Sequence, residues 1–210
     1  MLTYLTVPPF PHPPKHIIEQ ALEIVESYKN GTADLERKPD NAHIYNTGYA
    51  DRIYHRHGVA TPTRRQHVFS LGPEFEQWAA NNIHPYAYEA GLSVSVPVTA
   101  PMQGPHLDLR RRYALNYMLD LGGDNVRTVF YKEKGHPIER LHAAGPEGKS
   151  YWADYADLEV IDDVVLSTGV WVVLNAKVLH SVENMQGYRA MLTISVPDLN
   201  QFPWHNRNPI

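Results

Sequence analysis

Residues 104–134 read GPHLDLRRRYALNYMLDLGGDNVRTVFYKEK, and the alternation inside this stretch decides the fold. YALNYMLDL and VRTVFYKEK are short runs of β-branched, aromatic and aliphatic residues, and the Gly-Gly-Asp-Asn cluster at 122–125 parts them as a turn would. The same pattern recurs outward. LSVSVPVTA begins at Leu92, LEVIDD at Leu158, WVVLN at Trp171 and RAMLTISV at Arg189, with Gly, Pro, Asp and Asn clusters between them. Strands spaced about ten residues apart, with no helical pattern intervening, predict a sandwich or jelly roll. The chain reads as mainly β with flanking helices.

Toward the N-terminus the pattern changes. Five of the seven residues from Pro8 to Pro14 are proline, which forces an extended entry. In KHIIEQALEIVESYKN, Ile17, Ile18, Ala21, Leu22, Ile24 and Val25 recur at helical spacing, and Asn30-Gly31 supplies a stop. A second helix is predicted over GPEFEQWAANNIHPYAYEAG, with Pro73 in its first turn. At 210 residues the chain is expected to form one domain. Residues 1–91 are its helical flank and leading strands, 92–197 the sheet core and 198–210 a tail.

Composition narrows the function classes. Hydrophobic content of 43%, charged content of 20% and aromatic content of 10% are ordinary globular usage. A net charge of −4 provides no overall positive field for nucleic acid or anionic lipid. Cysteine is absent, which removes disulfides, thiolate metal sites and a cysteine nucleophile. The opening MLTYLTVPPFPHPP lacks a basic stretch followed by an apolar run, and no segment approaches ~20 apolar residues. A cytoplasmic protein with no membrane partner is expected, and a homodimer is compatible with this composition.

The charged turn at the head of the quoted stretch raises a metal question. His106 and Asp108 are two positions apart, so in an extended chain they share a side, and an imidazole and a carboxylate can reach one ion. A third ligand has to come from a distant strand, and His180 in WVVLNAKVLHSVENMQGYRAMLTISV is the candidate. Two histidines and one carboxylate on one face of a metal leave three positions open, as in non-haem iron(II) oxygenases. Arg189 follows His180 by nine positions in an apolar strand, where a buried guanidinium calls for an anion that its planar fork can match.

HLD at 106–108, then YALNYMLDLGGDNVRTVFY, then HSVENMQGYRAMLTIS from His180 resemble the double-stranded β-helix of the iron(II)/2-oxoglutarate-dependent dioxygenases, a cupin-like jelly roll, and in particular the prolyl-hydroxylase-like branch. The resemblance covers roughly residues 92–197. It implies iron(II) bound by His106, Asp108 and His180, with Arg189 on the far carboxylate of 2-oxoglutarate and O2 as the second co-substrate. It also implies a side chain from the strand after the HxD turn on that carboxylate, and Asn116 and Tyr117 both stand as candidates. Many relatives carry Arg-x-Ser where this chain has Arg189-Ala190-Met191, and Thr193, on the arginine's face of the strand, is the substitute expected. The implied reaction couples decarboxylation of 2-oxoglutarate to succinate with oxidation, most often hydroxylation, of a small-molecule or peptide substrate, with ascorbate as an auxiliary reductant.

Plainer readings stand beside these. An HxD pair alone recurs by chance, and a lone histidine near a strand end is more often structural; the joint order of the elements carries the weight. Arg110, Arg111 and Arg112 read as a solvated charged face or as a collector of acidic substrate. HRHG at 55–58 reads as a solvated strand or loop, Trp171, Trp152 and Tyr151 as packing, and GHPIERLHAAGPEGKSYWAD as a lid. Two other function classes remain: a cupin-like metal enzyme that needs no 2-oxoglutarate, and a non-catalytic binding module on the same scaffold.

Overall fold

The computed structural model describes residues 4–6, 10–32, 53–56, 59–62, 65–96, 103–108, 111–135, 150–152 and 155–199. In chain order these residues form β1 (Tyr4–Thr6), α1 (Lys15–Lys29), β2 (Ile53–Arg56), β3 (Val59–Pro62), β4 (Arg65–Phe69), α2 (Pro73–Asn82), β5 (Tyr88–Val96), β6 (Gln103–Asp108) and β7 (Tyr113–Asp120). There follow β8 (Arg127–Glu133), β9 (Ser150–Trp152), β10 (Leu158–Val165), β11 (Trp171–Asn175), β12 (Leu179–Glu183) and β13 (Arg189–Val196). The larger sheet has the order β1-β11-β7-β13-β5-β4 and the smaller one β10-β8-β12-β6-β9, while β2 and β3 pair by themselves. Both sheets are antiparallel throughout. The chain is mainly β, with few helices, as the turn-punctuated strand pattern predicts.

The two helices form because their apolar residues recur at helical spacing. Ile17, Ala21 and Val25 of α1 and Phe75 and Ala79 of α2 are buried against Leu92 and Val94 of β5, Leu115 of β7 and Leu192 and Ile194 of β13. Each large aliphatic side chain so buried contributes about 1.5–3 kcal/mol relative to exposure. α1 ends at Asn30, and Gly31 takes the left-handed turn with φ of 66°. Lys29, in its last turn, pairs with Asp120 of β7 at 3.0 Å and fastens the helix end to the sheet. The proline entry lies on the same side of the sheet, where the Trp171 indole donates to the Pro11 carbonyl at 3.1 Å.

One face of the larger sheet is thus helix-covered, yet β7 and β13 are also buried on their other face. That second face carries Asn116 on β7 and Arg189, Thr193 and Ser195 on β13, all buried polar side chains. A sheet face this polar and this shielded is the place to look for a site.

One expectation needs correction. α2 stops at Asn82, because Pro85 has no amide to donate and the chain from Tyr88 enters β5. Of the strands before Leu92, β1 pairs with β11 and β4 with β5 in the larger sheet. Among the described residues no helix is long and apolar enough to cross a membrane.

Candidate metal centre

β6 and β12 run antiparallel with His106 directly opposite His180, and directly opposed residues project to the same sheet face. Their ring centroids are 4.4 Å apart, and both residues are 3% exposed. Each ring is oriented by the carbonyl two residues before it. His106 Nδ1 donates to the Gly104 carbonyl and His180 Nδ1 to that of Val178, both at 2.8 Å. A carbonyl only accepts, so Nδ1 carries the proton in each ring and Nε2 keeps its lone pair. Burial pushes both imidazoles below their ordinary pKa, with His180 down to about 3. Phe130 of β8, fully buried, lies opposite His180 on the other side and walls the pair with an apolar ring 6.3 Å away.

Asp108 ends β6 two residues beyond His106. Its backbone N–H is held by the Ala176 carbonyl at 2.9 Å and its own carbonyl by Lys177 Nζ at 2.8 Å, which pins this strand end to the loop before β12. The side chain points back toward the imidazoles, with Oδ1 3.8 Å from His106 Nε2. Burial alone would raise its pKa, but the Arg111 guanidinium beside it, aided by the neighbouring imidazoles, more than offsets this and holds the carboxyl at about 2.

The other oxygen of Asp108 leads to Arg111, the middle member of the three-arginine run. Arg111 Nε donates to Asp108 Oδ2, and its Nη1 donates to Thr193 Oγ1 at 3.3 Å. Thr193 Oγ1 in turn donates to Asn116 Oδ1 at 2.9 Å. Thr193 of β13 and Asn116 of β7 are register partners, so this chain joins the strand end carrying Asp108 to the polar face of the larger sheet. The signal for Arg111 was available: a cation three positions after a ligand carboxylate can fold back over a turn onto it. The run of three arginines obscured which one would do so.

The register also separates Asn116 from Tyr117. Asn116 faces Thr193. Tyr117 projects to the helix-covered side, 5.3 Å from the Trp171 ring, with its hydroxyl 3.0 Å from His12 Nδ1. Tyr117 is therefore corrected from a candidate ligand residue to a core residue, because strand neighbours alternate between faces. Trp171 is packing, as expected, buried among Phe10, Trp78 and Tyr117.

Arg189 opens β13, 6% exposed, opposite Ser95 of β5. Its position is set by a close backbone crossing at Gly122, whose carbonyl accepts from the amides of Gln186 at 2.8 Å and Gly187 at 2.7 Å. A Cβ at Gly122 would meet the Gly187 oxygen at 3.2 Å and the Arg189 Cβ at 3.3 Å, and φ there is 83°. Only glycine suits that crossing. In HRHG, His57 and Gly58 lie outside the described residues, as do Arg110 and residues 136–149 and 153–154 of the expected lid.

The donor set, two neutral imidazoles and one ionised carboxylate, is of the kind that suits a divalent first-row cation. The side chains as they stand do not form a finished cage. Among the described residues no group of three His, Cys, Asp or Glu is arranged to hold a metal ion. The imidazoles are already paired, whereas Asp108 is drawn toward Arg111, so binding an ion through all three requires Asp108 Oδ1 to move in beside the two Nε2 atoms.

No protein-family model and no curated protein matches the chain. Among solved structures, AviO1 from Streptomyces viridochromogenes Tue57 aligns at 14% identity over 93% of this chain and 90% of its own, with a TM-score of 0.46. EvdMO1 aligns at 14% over 93% of this chain and 48% of its own, with a TM-score of 0.47. A Pseudomonas putida prolyl-4-hydroxylase aligns at 13% over 91% and 90%, with a TM-score of 0.43. Likenesses this weak assign neither family nor activity to the chain.

Proposed function

We propose that this chain is a single oxygenase domain, a double-stranded β-helix that binds iron(II) and 2-oxoglutarate and oxidises, most simply hydroxylates, a small-molecule or peptide substrate. The observation that carries the reading is the opposed His106–His180 pair, each ring anchored through Nδ1, beside the ionised carboxylate of Asp108. Iron bound there would supply oxygen activation coupled to conversion of 2-oxoglutarate to succinate and carbon dioxide.

The chain's own residues would do the rest. His106 and His180 would bind through Nε2, each held in orientation by its Nδ1 hydrogen bond, which is the usual outer support of a metal-bound imidazole. Asp108 would supply the one anionic ligand. Arg189, shielded from solvent at the start of β13, offers a planar fork to the far carboxylate of 2-oxoglutarate. Thr193 and Asn116 line the same sheet face with a hydroxyl and an amide. Phe130 keeps water from the imidazole side and strengthens every polar interaction made there.

The test is succinate formation. Purified protein with iron(II), 2-oxoglutarate, ascorbate and air should release succinate, and Asp108→Ala should not, since it removes the anionic ligand. Equal succinate from both proteins would assign the turnover to free iron and remove this support for the proposal.

A further inference from the structure

β5 and β13 pair from Arg189 opposite Ser95 to Ser195 opposite Tyr88, with a bulge near the second end. Two steps along β13, from Thr193 to Ser195, match three along β5, from Gly91 to Tyr88. The extra residue brings two consecutive side chains, Tyr88 and Glu89, to the polar face of the larger sheet. Tyr88 is there as the register partner of Ser195, and Glu89 because its Oε2 accepts from the Ser195 hydroxyl at 3.2 Å. Ser195 is 1% exposed, whereas Glu89 reaches solvent. Burial, and then the Glu89 charge, push the Tyr88 hydroxyl above its ordinary pKa while Arg111 draws it down, so both charges lie close to that phenol.

Glu89 holds this bulge with φ of 50°. Glycine suits that region, and Asn or Asp tolerate it through a short side chain that bonds locally; glutamate has neither advantage. Strained positions of this kind cluster where a side chain meets a ligand. The carboxylate only accepts, and one serine donor leaves it further acceptor capacity. Among the described residues it makes no ion pair, and Arg111 is engaged with Asp108 Oδ2 and Thr193 Oγ1. Six residues of strand, about 20 Å, separate Arg189 from Ser195 along the face. With Arg189 assigned to the co-substrate, the Ser195 end is left for the substrate. We infer that Glu89 is a substrate-recognition residue, and that the substrate carries an ammonium or guanidinium group which this carboxylate binds. The inference rests on the site proposed above for this sheet face.

Nα-acetyl-lysinamide and Nα-acetyl-argininamide are the cationic probes, with the corresponding norleucine and glutamate amides as neutral and anionic controls. In full-length protein 13C-labelled at the glutamate carboxyls, the Glu89 signal is the one missing from Glu89→Gly, a variant that the backbone there accommodates. At least one cationic probe should shift this signal saturably, and neither control should. The affinity of that probe, read from its own NMR signals, should fall at least roughly tenfold in Glu89→Gln, as expected when a charged hydrogen bond becomes a neutral one. A Glu89 signal unmoved by both cations, or moved equally by the norleucine amide, overturns the inference in the wild type, so the test stands even if Glu89→Gln does not fold. Undiminished affinity in either variant also overturns it. No metal and no turnover enter the measurement, which separates the two levels. Cation binding at Glu89 in a protein that forms no succinate removes the oxygenase reading alone, and succinate formation with no cation effect at Glu89 removes this inference alone.

Discussion

His106 and His180 stand directly opposite one another across the β6–β12 ladder, each with its Nδ1 tied to the carbonyl two residues back. The 72 positions that separate Asp108 from His180 in the chain collapse to neighbouring strands of one sheet. Two imidazoles desolvated side by side contribute little to folding, and a shared ligand is the role proposed for them.

Removing either histidine should therefore abolish tight metal binding. His180→Ala and His106→Ala should each lower manganese(II) affinity beyond the roughly 10–100-fold that loss of an outer support costs, read by calorimetric titration. Retained affinity in either variant would place the ion elsewhere.

Arg189→Met should weaken 2-oxoglutarate binding to the manganese-loaded protein by on the order of 2–5 kcal/mol, as expected when one partner of a buried charged hydrogen-bond pair is truncated. Manganese affinity should be nearly unchanged, because the guanidinium is assigned to the far carboxylate and not to the ion. Calorimetry of the two ligands in sequence separates these outcomes.

Phe75 in α2 is fully buried, stacked on Trp78 at 5.9 Å, in the cluster that fastens both helices to the larger sheet. Phe75→Ala should cost about 3–5 kcal/mol of folding stability, measured by urea denaturation. A loss below 1 kcal/mol, roughly the level of a surface change, would contradict this account of the helix packing.

His84 should impose a pH dependence on stability that is independent of the metal centre. It is 1% exposed, and its Nδ1 accepts the Tyr86 amide at 3.1 Å, a bond only the unprotonated nitrogen makes. Burial pushes its pKa below the ordinary value of about 6.5, with Asp198, 3.9 Å away, only partly opposing. The unfolded chain then binds the proton more readily than the folded one. Stability from this group is complete above the unfolded pKa and falls as pH drops through it toward the lower folded value. His84→Gln should flatten the difference in stability between pH 7.5 and pH 5.5 relative to wild type; an unchanged difference would contradict it.

Much of this was legible in the residues, and the remainder depended on pairing. The spacing of Ile17, Ala21 and Val25 marks α1, because a helix returns its apolar face every three to four residues. The joint order of His106, Asp108, His180 and Arg189 is the basis of the site proposed for them, and the structure places His106 and Asp108 on the strand that pairs with the strand of His180. Asn116 and Tyr117 were inseparable, since parity along β7 has meaning only once β13 is known to pair Thr193 with Asn116 and Leu192 with Tyr117. Arg111 stands open in the sequence between a solvated face and a collector of acidic substrate, because a charge run carries no information on which member folds back. α2 was drawn too long because the apolar residues after Pro85 belong to the approach to β5.

The central claim is that a 2-oxo acid binds on a metal held by His106, Asp108 and His180. Adding 2-oxoglutarate to the iron(II)-loaded protein without oxygen tests it most directly, with both ligands shown to be bound by titration. The account predicts a visible charge-transfer band in the wild type that is absent in Asp108→Ala and appears only at much higher 2-oxoglutarate in Arg189→Met. Iron and 2-oxoglutarate both bound with no visible band would contradict it, because the 2-oxo acid would then not be on the metal.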